Sequence, residues 1–246
     1  MPQEPLFKSP VFIGGTGRSG TTLVARLLGY HPKAFVPKWE TQFLVAPKGL
    51  LSYLEGGRAE DFERFSKLMR GRWFQRVVSP GTPREYIAGL CEELSIEQVE
   101  VALLGLKREL GRTPTGNSAV SFLSALYSDK LHLSGSALFG EKTPANLILA
   151  DRLQNHFPDM RFVHVIRDGR DVLSSILSRS FWPITGTLLS PPDSRFTGEV
   201  TFESALDYWP TVLRHGETAL STIPENRIIQ LRLEDLIDSP KKTLTK

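Results

Sequence analysis

The chain has 246 residues, of which 40% are hydrophobic and 23% are charged, so it suits one α/β domain or two small domains of ordinary globular composition. Its net charge of +3 is compatible with anionic ligands but too small to indicate binding to nucleic acid. The single cysteine excludes an internal disulfide and a cysteine-rich zinc site, and the absence of a long apolar run or an apolar leader predicts a cytoplasmic chain without a membrane span.

The first predicted elements are a strand, a glycine-rich loop and a helix. Val11-Phe12-Ile13 is a short apolar run that is typical of a buried strand. The loop from Gly14 to Gly20 is too rich in glycine for regular structure, and apolar residues at helical spacing then predict a helix that begins near Thr21. Glycines let backbone N–H groups curl inward and the helix N-terminus adds positive potential, so this geometry is typical of a phosphate site.

The loop is close to a Walker A motif but departs from it. Gly15 and Gly20 have the required spacing, but Thr21 and Thr22 stand where that motif has a lysine followed by serine or threonine. Without the lysine, its contact with the β- and γ-phosphates of ATP is missing, and Arg18 supplies a fixed cation inside the loop instead. The loop therefore suits an anionic nucleotide end, with no clear sign of ATP and magnesium, and a loop that binds nothing is less favoured.

A second strand and a helical insert are predicted next. Phe35-Val36-Pro37 indicates the strand, and Glu40 follows at its carboxyl end, where a parallel sheet faces its ligand. Glu40 is therefore a candidate for chemistry, although a cap on a helix that starts near Thr41 is equally favoured by position. Residues 42 to 134 indicate a mostly helical insert. Its apolar spacing predicts helices over 62–77, 86–94 and 99–110 and another that begins at Phe122.

Two charged strand ends follow the insert. Residues 137–142 predict a strand that ends in Glu141 and Lys142, and by position alone a solvated Lys142 paired with Glu141 is favoured over a catalytic one. Residues 161–166 predict the strongest strand in the chain, with His164 as a core histidine whose hydrogen bonds are satisfied. Arg167, in the turn before the next helix, is placed to bind a phosphate. The alternative there is a charged cap, with Asp168 at the N-cap and arginines paired to aspartates.

The remaining pattern completes the predicted fold. Residues 182–200 indicate a long loop, and a helix from Phe202, a strand over 228–231 and a final helix from Glu234 follow. Strands that alternate with helices predict an α/β fold with a mainly parallel central sheet of four or five strands, helices on both faces and a helical insert.

Taken together, these pieces resemble the sulfotransferases that use 3′-phosphoadenosine 5′-phosphosulfate (PAPS). GGTGRSGTT, residues 14–22, is similar to the family's 5′-phosphosulfate loop. VIRDGRDVLSS, residues 165–175, is similar to its 3′-phosphate motif, with Arg167 followed eight residues later by Ser175. The spacing from Arg18 to Glu40 is similar to that of the glutamate-base branch, which includes the tyrosylprotein sulfotransferases. Lys142 lies about where that branch has a catalytic lysine, and LRLEDL, residues 231–236, resembles the family's RYEDL segment.

The resemblance implies a single P-loop NTPase-like domain over residues 1–246. It implies transfer of a sulfuryl group from PAPS to an acceptor hydroxyl or amine, with 3′-phosphoadenosine 5′-phosphate (PAP) as product and no metal. Glu40 would accept the acceptor's proton, and Arg18 and Lys142 would stabilise charge on the transferring group. The residues implied to bind the 3′-phosphate are Arg167 and Ser175, and those implied to hold the phosphosulfate are Gly15, Thr16, Gly17, Arg18, Ser19, Gly20, Thr21 and Thr22.

Two features depart from the family's pattern. Leu233 stands where the family often has a tyrosine, so the cofactor contact of that tyrosine is not carried over. The chain also stops at Lys246, whereas family members commonly continue into a segment that completes the cofactor site. The sequence is therefore expected either to be a truncated piece or to close its site with another loop.

Two other functions stay open. A P-loop-type kinase of a small metabolite would bind ATP with magnesium, and Thr21 in place of the Walker lysine argues against it. A catalytically degenerate nucleotide-binding protein would bind PAP without turnover, or bind nothing. The acceptor class also stays open among carbohydrates, lipids, peptides and small molecules, and the sequence carries no signal for the oligomeric state.

Overall fold

The computed structural model describes residues 6–78, 85–109, 116–135, 138–178 and 201–245. The predicted loop over 182–200 lies outside these residues. The strands in chain order are β1 (Val11–Gly15), β2 (Ala34–Phe35), β3 (Gln75–Val78), β4 (Glu85–Ala88), β5 (Leu138–Lys142), β6 (Arg161–Ile166) and β7 (Ile228–Arg232).

The helices follow the same order. The α-helices are α1 (Thr21–Gly29), α2 (Leu50–Gly56), α3 (Ala59–Trp73), α4 (Ile96–Lys107), α5 (Gly116–Leu126), α6 (Ser128–Ser134), α7 (Ala150–His156), α8 (Gly169–Leu177), α9 (Phe202–Leu220), α10 (Leu233–Asp238) and α11 (Pro240–Leu244). Short 3-10 helices occur at Leu90–Glu92, Pro144–Leu149 and Glu225–Arg227.

Five strands form one parallel sheet in the order β2-β5-β1-β6-β7. All five residues of β1 are buried, as expected for an apolar strand at the centre of a sheet that helices cover on both faces. The chain reaches β2 and β5 on one side of β1 and β6 and β7 on the other, so the switch point of the topology lies at the carboxyl end of β1. Ligands of open α/β sheets bind at such a point. The predicted fold class is confirmed.

The sheet separates two apolar clusters because successive side chains of a strand point to opposite faces. Phe12 and Phe162 belong to the larger cluster, whereas Val11, Ile13 and Val165 belong to the smaller one. The larger cluster also contains buried aromatic residues of the insert, namely Phe43, Phe65 and Phe122. The insert and one face of the sheet therefore share a core.

The insert differs from the prediction in three places. The helix expected to reach Val77 ends at Trp73, and the helix expected over 86–94 is absent as such: β3 and β4 pair antiparallel instead, followed by the 3-10 turn at Leu90–Glu92. These two segments have the β-branched and aromatic residues of a hairpin, so strand propensity prevailed over the apolar spacing. α5 also starts at Gly116, ahead of the predicted Phe122. Within the described part of the chain, no helix is both long and apolar enough to cross a membrane.

Candidate active site

The glycine loop after β1 has the backbone geometry of a tight anion-binding turn. Arg18 has φ of 67° and Gly20 has φ of 92°, so both lie in the left-handed region. A Cβ at Gly15 would overlap the Val165 carbonyl oxygen, which explains the glycine there. The Ser19 hydroxyl donates to the Thr16 carbonyl over 2.7 Å and holds the curl. The helical hydrogen bonds of α1 begin with the Leu23 N–H, which donates to the Gly20 carbonyl oxygen, so Thr21 and Thr22 precede the first of them.

Residues from distant elements hold this loop in place. The Tyr208 hydroxyl on α9 accepts a hydrogen bond of 2.8 Å from the Gly17 N–H. Tyr208 is buried, and this burial raises the pKa of its hydroxyl to about 12, so the group stays neutral across the physiological range. Leu233, at the start of α10, packs on Gly20, where its Cδ1 would lie 2.7 Å from an added Cβ. The position where the family often has tyrosine therefore touches the loop through an apolar side chain.

The structure brings Arg18, Arg167 and Ser175 together. Arg18 Nε donates to Ser175 Oγ over 2.9 Å, and Arg167 Nη1 donates to the Arg18 carbonyl oxygen over 3.0 Å. The β6–α8 turn is itself fixed, because Trp209 Nε1 donates to the Arg167 carbonyl and Glu234 accepts from the Asp168 N–H. These contacts join the two predicted phosphate motifs at neighbouring strand ends.

Part of the alternative interpretation of this turn is also present. Asp168 caps α8 by accepting from the Arg170 N–H, and the Arg170 guanidinium pairs with its carboxylate at 2.7 Å. That pairing holds the pKa of Asp168 well below its usual range. Arg167 lies 3.8 Å from Asp171 and keeps an exposed fraction of 28%, so it is accessible to a ligand.

Glu40 and Lys142 form a direct pair at the ends of β2 and β5. Lys142 Nζ donates to Glu40 Oε1 over 2.7 Å, and the lysine side chain is only 6% exposed. The favoured alternative for Lys142, a solvated lysine paired with Glu141, is wrong, because adjacent residues of a strand point to opposite faces. The cap alternative for Glu40 is also wrong, since the next helix, α2, starts at Leu50 with Gly49 at its N-cap.

Glu141 is buried and holds the chain on either side of this pair. Its carboxylate accepts from Thr41 Oγ1 (2.7 Å), Thr143 Oγ1 (2.7 Å) and Asn146 Nδ2 (2.6 Å). Burial raises the pKa of Glu141, and these three donors oppose that rise. Thr41 directly follows Glu40 in the chain, so Glu141 fixes the backbone that carries Glu40. Nothing in the sequence distinguishes Glu141 from an ordinary surface residue.

A cleft of about 350 Å³ opens beside the Glu40–Lys142 pair. Thr22 reaches it from the loop, and Gln42 and Arg72 reach it from the insert. Gln42 Nε2 donates to Glu40 Oε2 over 3.1 Å, and its Oε1 accepts from Arg72 Nη1 over 2.7 Å. Sequence reasoning missed Gln42 and Arg72, because neither belongs to a motif or to a predicted strand end.

One buried polar group of the glycine loop, the Thr16 hydroxyl, bears on which ligand the site can bind. The Thr16 hydroxyl oxygen has no hydrogen-bond partner among the described residues, which leaves it available to a ligand of the loop. Together with the cations Arg18 and Arg167, it makes the residues present fit a phosphorylated nucleotide such as PAPS.

His164 is buried as predicted, but both its ring nitrogens lack partners within the described chain, so it is not the satisfied histidine expected. In that same part of the chain, no cluster of three or more acidic, histidine or cysteine residues is placed to hold a metal.

The sheet, with a glycine loop after its central strand, defines a protein of the P-loop-like α/β class. Residues 10–246 match the model of a family described as the sulfotransferase family. The chain therefore belongs to the sulfotransferase family. A comparison with curated proteins gave no match.

Solved structures with a similar fold are also sulfotransferases. The sulfotransferase domain of an olefin synthase from Synechococcus is 19% identical, with a TM-score of 0.55 over 100% of this chain and 74% of that one. A sulfotransferase domain from the curacin biosynthetic pathway is 15% identical, with a TM-score of 0.53 over 97% of this chain and 72% of that one. A sulfotransferase from Mycobacterium tuberculosis is 20% identical, with a TM-score of 0.50 over 97% and 66%. At these identities the likeness shows the fold.

Proposed function

We propose that the protein transfers a sulfuryl group from PAPS to an acceptor hydroxyl or amine, with Glu40 as the general base. The observation that carries the proposal is the 2.7 Å pair of Glu40 and Lys142, which opens onto the same cleft as Thr22 of the glycine loop. A carboxylate and a shielded cation at adjacent strand ends can take a proton and stabilise charge within one small volume. Membership of the sulfotransferase family supplies the reaction class.

The nucleotide half of the proposed site is the loop and the β6–α8 turn. The residues proposed to hold the 5′ end are Gly15, Thr16, Gly17, Arg18, Ser19, Gly20, Thr21 and Thr22, and those proposed to hold the 3′-phosphate are Arg167 and Ser175. PAPS, when bound, supplies the sulfuryl group and a bisphosphate leaving group. The Arg18–Ser175 and Arg167–Arg18 contacts support the assignment, because they bring the side chains of Arg167 and Ser175 against Arg18 of the glycine loop.

The transfer half is the cleft. Glu40 accepts the proton that the acceptor hydroxyl loses, while Lys142 and Arg18 stabilise negative charge that develops during transfer. Lys142 and Gln42 each hold one oxygen of the Glu40 carboxylate, so its orientation is fixed before an acceptor arrives. We further propose that residues 1–246 form one sulfotransferase domain, since the insert and the sheet share a core.

The first experiment is calorimetric titration with PAP and, in parallel, with ATP and magnesium. We expect PAP to bind more tightly than ATP, and Arg167→Ala to weaken PAP binding by about tenfold or more, as loss of a charge-assisted contact does. Arg161→Ala, at the opposite end of β6, is the matched control and should bind PAP like the wild type. Preference for ATP with magnesium would favour the kinase alternative, and binding of neither nucleotide would favour a degenerate site.

The second experiment separates the base from the binding site. Glu40→Gln keeps the shape of the side chain but removes its ability to accept a proton. We expect PAP affinity within about twofold of wild type and a loss of turnover of about 100-fold or more. Turnover is measured as PAP released from PAPS with an acceptor that the wild type sulfates. A wild-type rate in this variant would show that Glu40 is not the base.

A further inference from the structure

Arg72, near the end of α3, is a half-buried cation that forms no ion pair within the part of the chain that the structure describes. Its Nη1 donates to Gln42 Oε1, and its Nε is buried with no hydrogen-bond partner among the described residues. No carboxylate oxygen of those residues lies within 4.0 Å of its guanidinium. Burial lowers the pKa of Arg72, while the charge of Glu40 opposes that lowering. A desolvated cation is costly unless an anion compensates it, and no described residue forms an ion pair with Arg72, so the site suits an additional negative charge.

The cleft next to Arg72 has an excess of positive charge. Its described lining includes Arg26, Lys38, Arg72 and Lys142 but only one carboxylate, Glu40. Two of the cations have partners: Lys142 pairs with Glu40, and Lys38, on the rim, lies 3.6 Å from Glu92. The charges of the other two cations are not neutralised in this way, because Arg26 and Arg72 form no ion pair with any described residue.

Most of the proposed nucleotide half lies outside this cleft, because Thr22 is the one residue of that half among the described lining. Arg18, Arg167 and Ser175 do not line this cleft, whereas Glu40, the proposed base, does. A group that contacts Arg72 would therefore lie on the same side as the acceptor hydroxyl. Trp39, which is 39% exposed, provides an apolar surface in the same cleft.

We propose that the acceptor carries an anionic group, a carboxylate, phosphate or sulfate, which Arg72 binds while the acceptor's hydroxyl or amine faces Glu40. This inference rests on the proposed function and names its substrate class. Arg26 adds charge in the same cleft, and Gln42 fixes the Arg72 fork relative to Glu40. Arginine suits this role because its planar fork matches the oxygens of such anions.

The test uses inorganic pyrophosphate as the probe and the chain saturated with PAP, so that the nucleotide phosphates are already in place. Binding is followed by calorimetry and by the ¹⁵N NMR signals of the arginine Nε–H groups. The variants are Arg72→Gln, Arg72→Lys, which keeps the charge without the fork, and Arg26→Gln. Arg64→Gln is the matched control, because Arg64 lies on the same helix, is 51% exposed and pairs with Glu60 and Asp61.

We expect saturable pyrophosphate binding that Arg72→Gln weakens by about tenfold or more, that Arg72→Lys and Arg26→Gln weaken by less, and that Arg64→Gln leaves unchanged. Absence of saturable binding to the PAP-saturated chain, or equal binding by Arg72→Gln, would overturn the proposal. So would a matching loss of PAP affinity in Arg72→Gln, because the arginine would then serve the nucleotide. If Arg72→Gln does not fold, exposed Arg26→Gln decides, since equal binding in that variant would contradict a cationic cleft.

Failure of the proposed function gives a different result. In that case PAP itself does not bind, whereas pyrophosphate titrated into the unloaded chain still reports on Arg72 through the same variants.

Discussion

Replacing the buried Glu141 with alanine should destabilise the protein strongly. Its side chain is fully buried and accepts hydrogen bonds from Thr41, Thr143 and Asn146. Alanine leaves all three donors without this acceptor. Only Asn146 keeps a second one, because its Nδ2 also donates to the Ile13 carbonyl over 3.2 Å.

The expected loss follows from the cost of stranding buried donors. Each donor hydrogen left unsatisfied costs about 1 kcal/mol or more, so the two threonine hydroxyls and the one amide hydrogen of Asn146 that loses its acceptor give a loss of about 3 kcal/mol in the free energy of unfolding. This is a large share of the roughly 5–15 kcal/mol that stabilises a domain. Glu141→Gln should cost much less, because it keeps one carbonyl acceptor and the two threonine hydroxyls can turn to accept from its amide.

The pH dependence of the two proteins should also differ. Burial raises the folded-state pKa of Glu141 above its ordinary 4.5, so its ionisation opposes folding. The stability of the wild type should therefore fall relative to that of Glu141→Gln as the pH rises from 4.5 through the folded-state pKa. Below pH 4.5 Glu141 is protonated in both the folded and the unfolded state, so the pH-dependent part of the difference in stability vanishes.

Urea denaturation followed by tryptophan fluorescence measures these changes. Glu63→Ala is the control, because Glu63 is exposed on α3 and should shift the unfolding free energy by no more than about 0.5 kcal/mol. A loss below about 1 kcal/mol in Glu141→Ala, with an unchanged m-value, would refute the reasoning.

Three other changes have expected outcomes in the same assay. Tyr208→Phe removes the acceptor of the Gly17 N–H and should cost about 1 kcal/mol, whereas Tyr30→Phe, at a residue that is 84% exposed, should cost nothing measurable. Gly20→Ala places a Cβ at φ of 92° and against Leu233, so it should cost about 2 kcal/mol, and Leu233→Ala in the same chain should recover part of that loss; simple additivity would contradict the contact. Burial lowers the pKa of His164 from 6.5 to about 4, so the neutral ring's contribution to the free energy of unfolding is complete above pH 6.5 and is lost as the pH falls toward 4. At pH 5 the wild type should have lost about 2 kcal/mol of stability that His164→Gln does not lose. Equal acid sensitivity in both proteins would contradict the assignment.

The sheet could be predicted from the sequence because each of its strands is a local signal. The apolar run at 11–13, and the one at 162–166 that only His164 interrupts, are typical of strands buried in a sheet, and the glycines and charged residues after them mark the turns. The insert was harder, since its apolar residues occur at spacings that suit a helix or a hairpin equally. In β3 and β4 only the cross-strand pairing, which is not local, decides between the two.

The site shows the same limit. Glu40 and Lys142 could be nominated separately as strand ends, but their pairing across 102 positions of sequence could not. Position alone favours Glu141 as the partner of Lys142, because the two residues are adjacent in the sequence. In a strand, however, the side chains of adjacent residues point to opposite faces of the sheet. Arg72 and Tyr208 gave no signal at all, since their importance comes from what packs beside them and not from any pattern around them.

The insert lies in the chain between the two residues of the Glu40–Lys142 pair. The chain leaves the sheet after β2, which ends at Phe35, passes through Glu40, forms the insert and returns as β5, which ends at Lys142. The Glu40–Lys142 pair therefore closes a loop of 102 positions, and Glu141 and Gln42 tie the two ends of that loop to each other and to α3. Arg18 and Arg167 instead lie in the turns that follow β1 and β6, Ser175 lies on α8, and the hydrogen bonds that join these three residues involve no residue of the insert. On the proposed function, a different insert would change which acceptor reaches Glu40 while the glycine loop stays intact, so we expect acceptor preference to be encoded in the insert, where the sequence motifs are weakest.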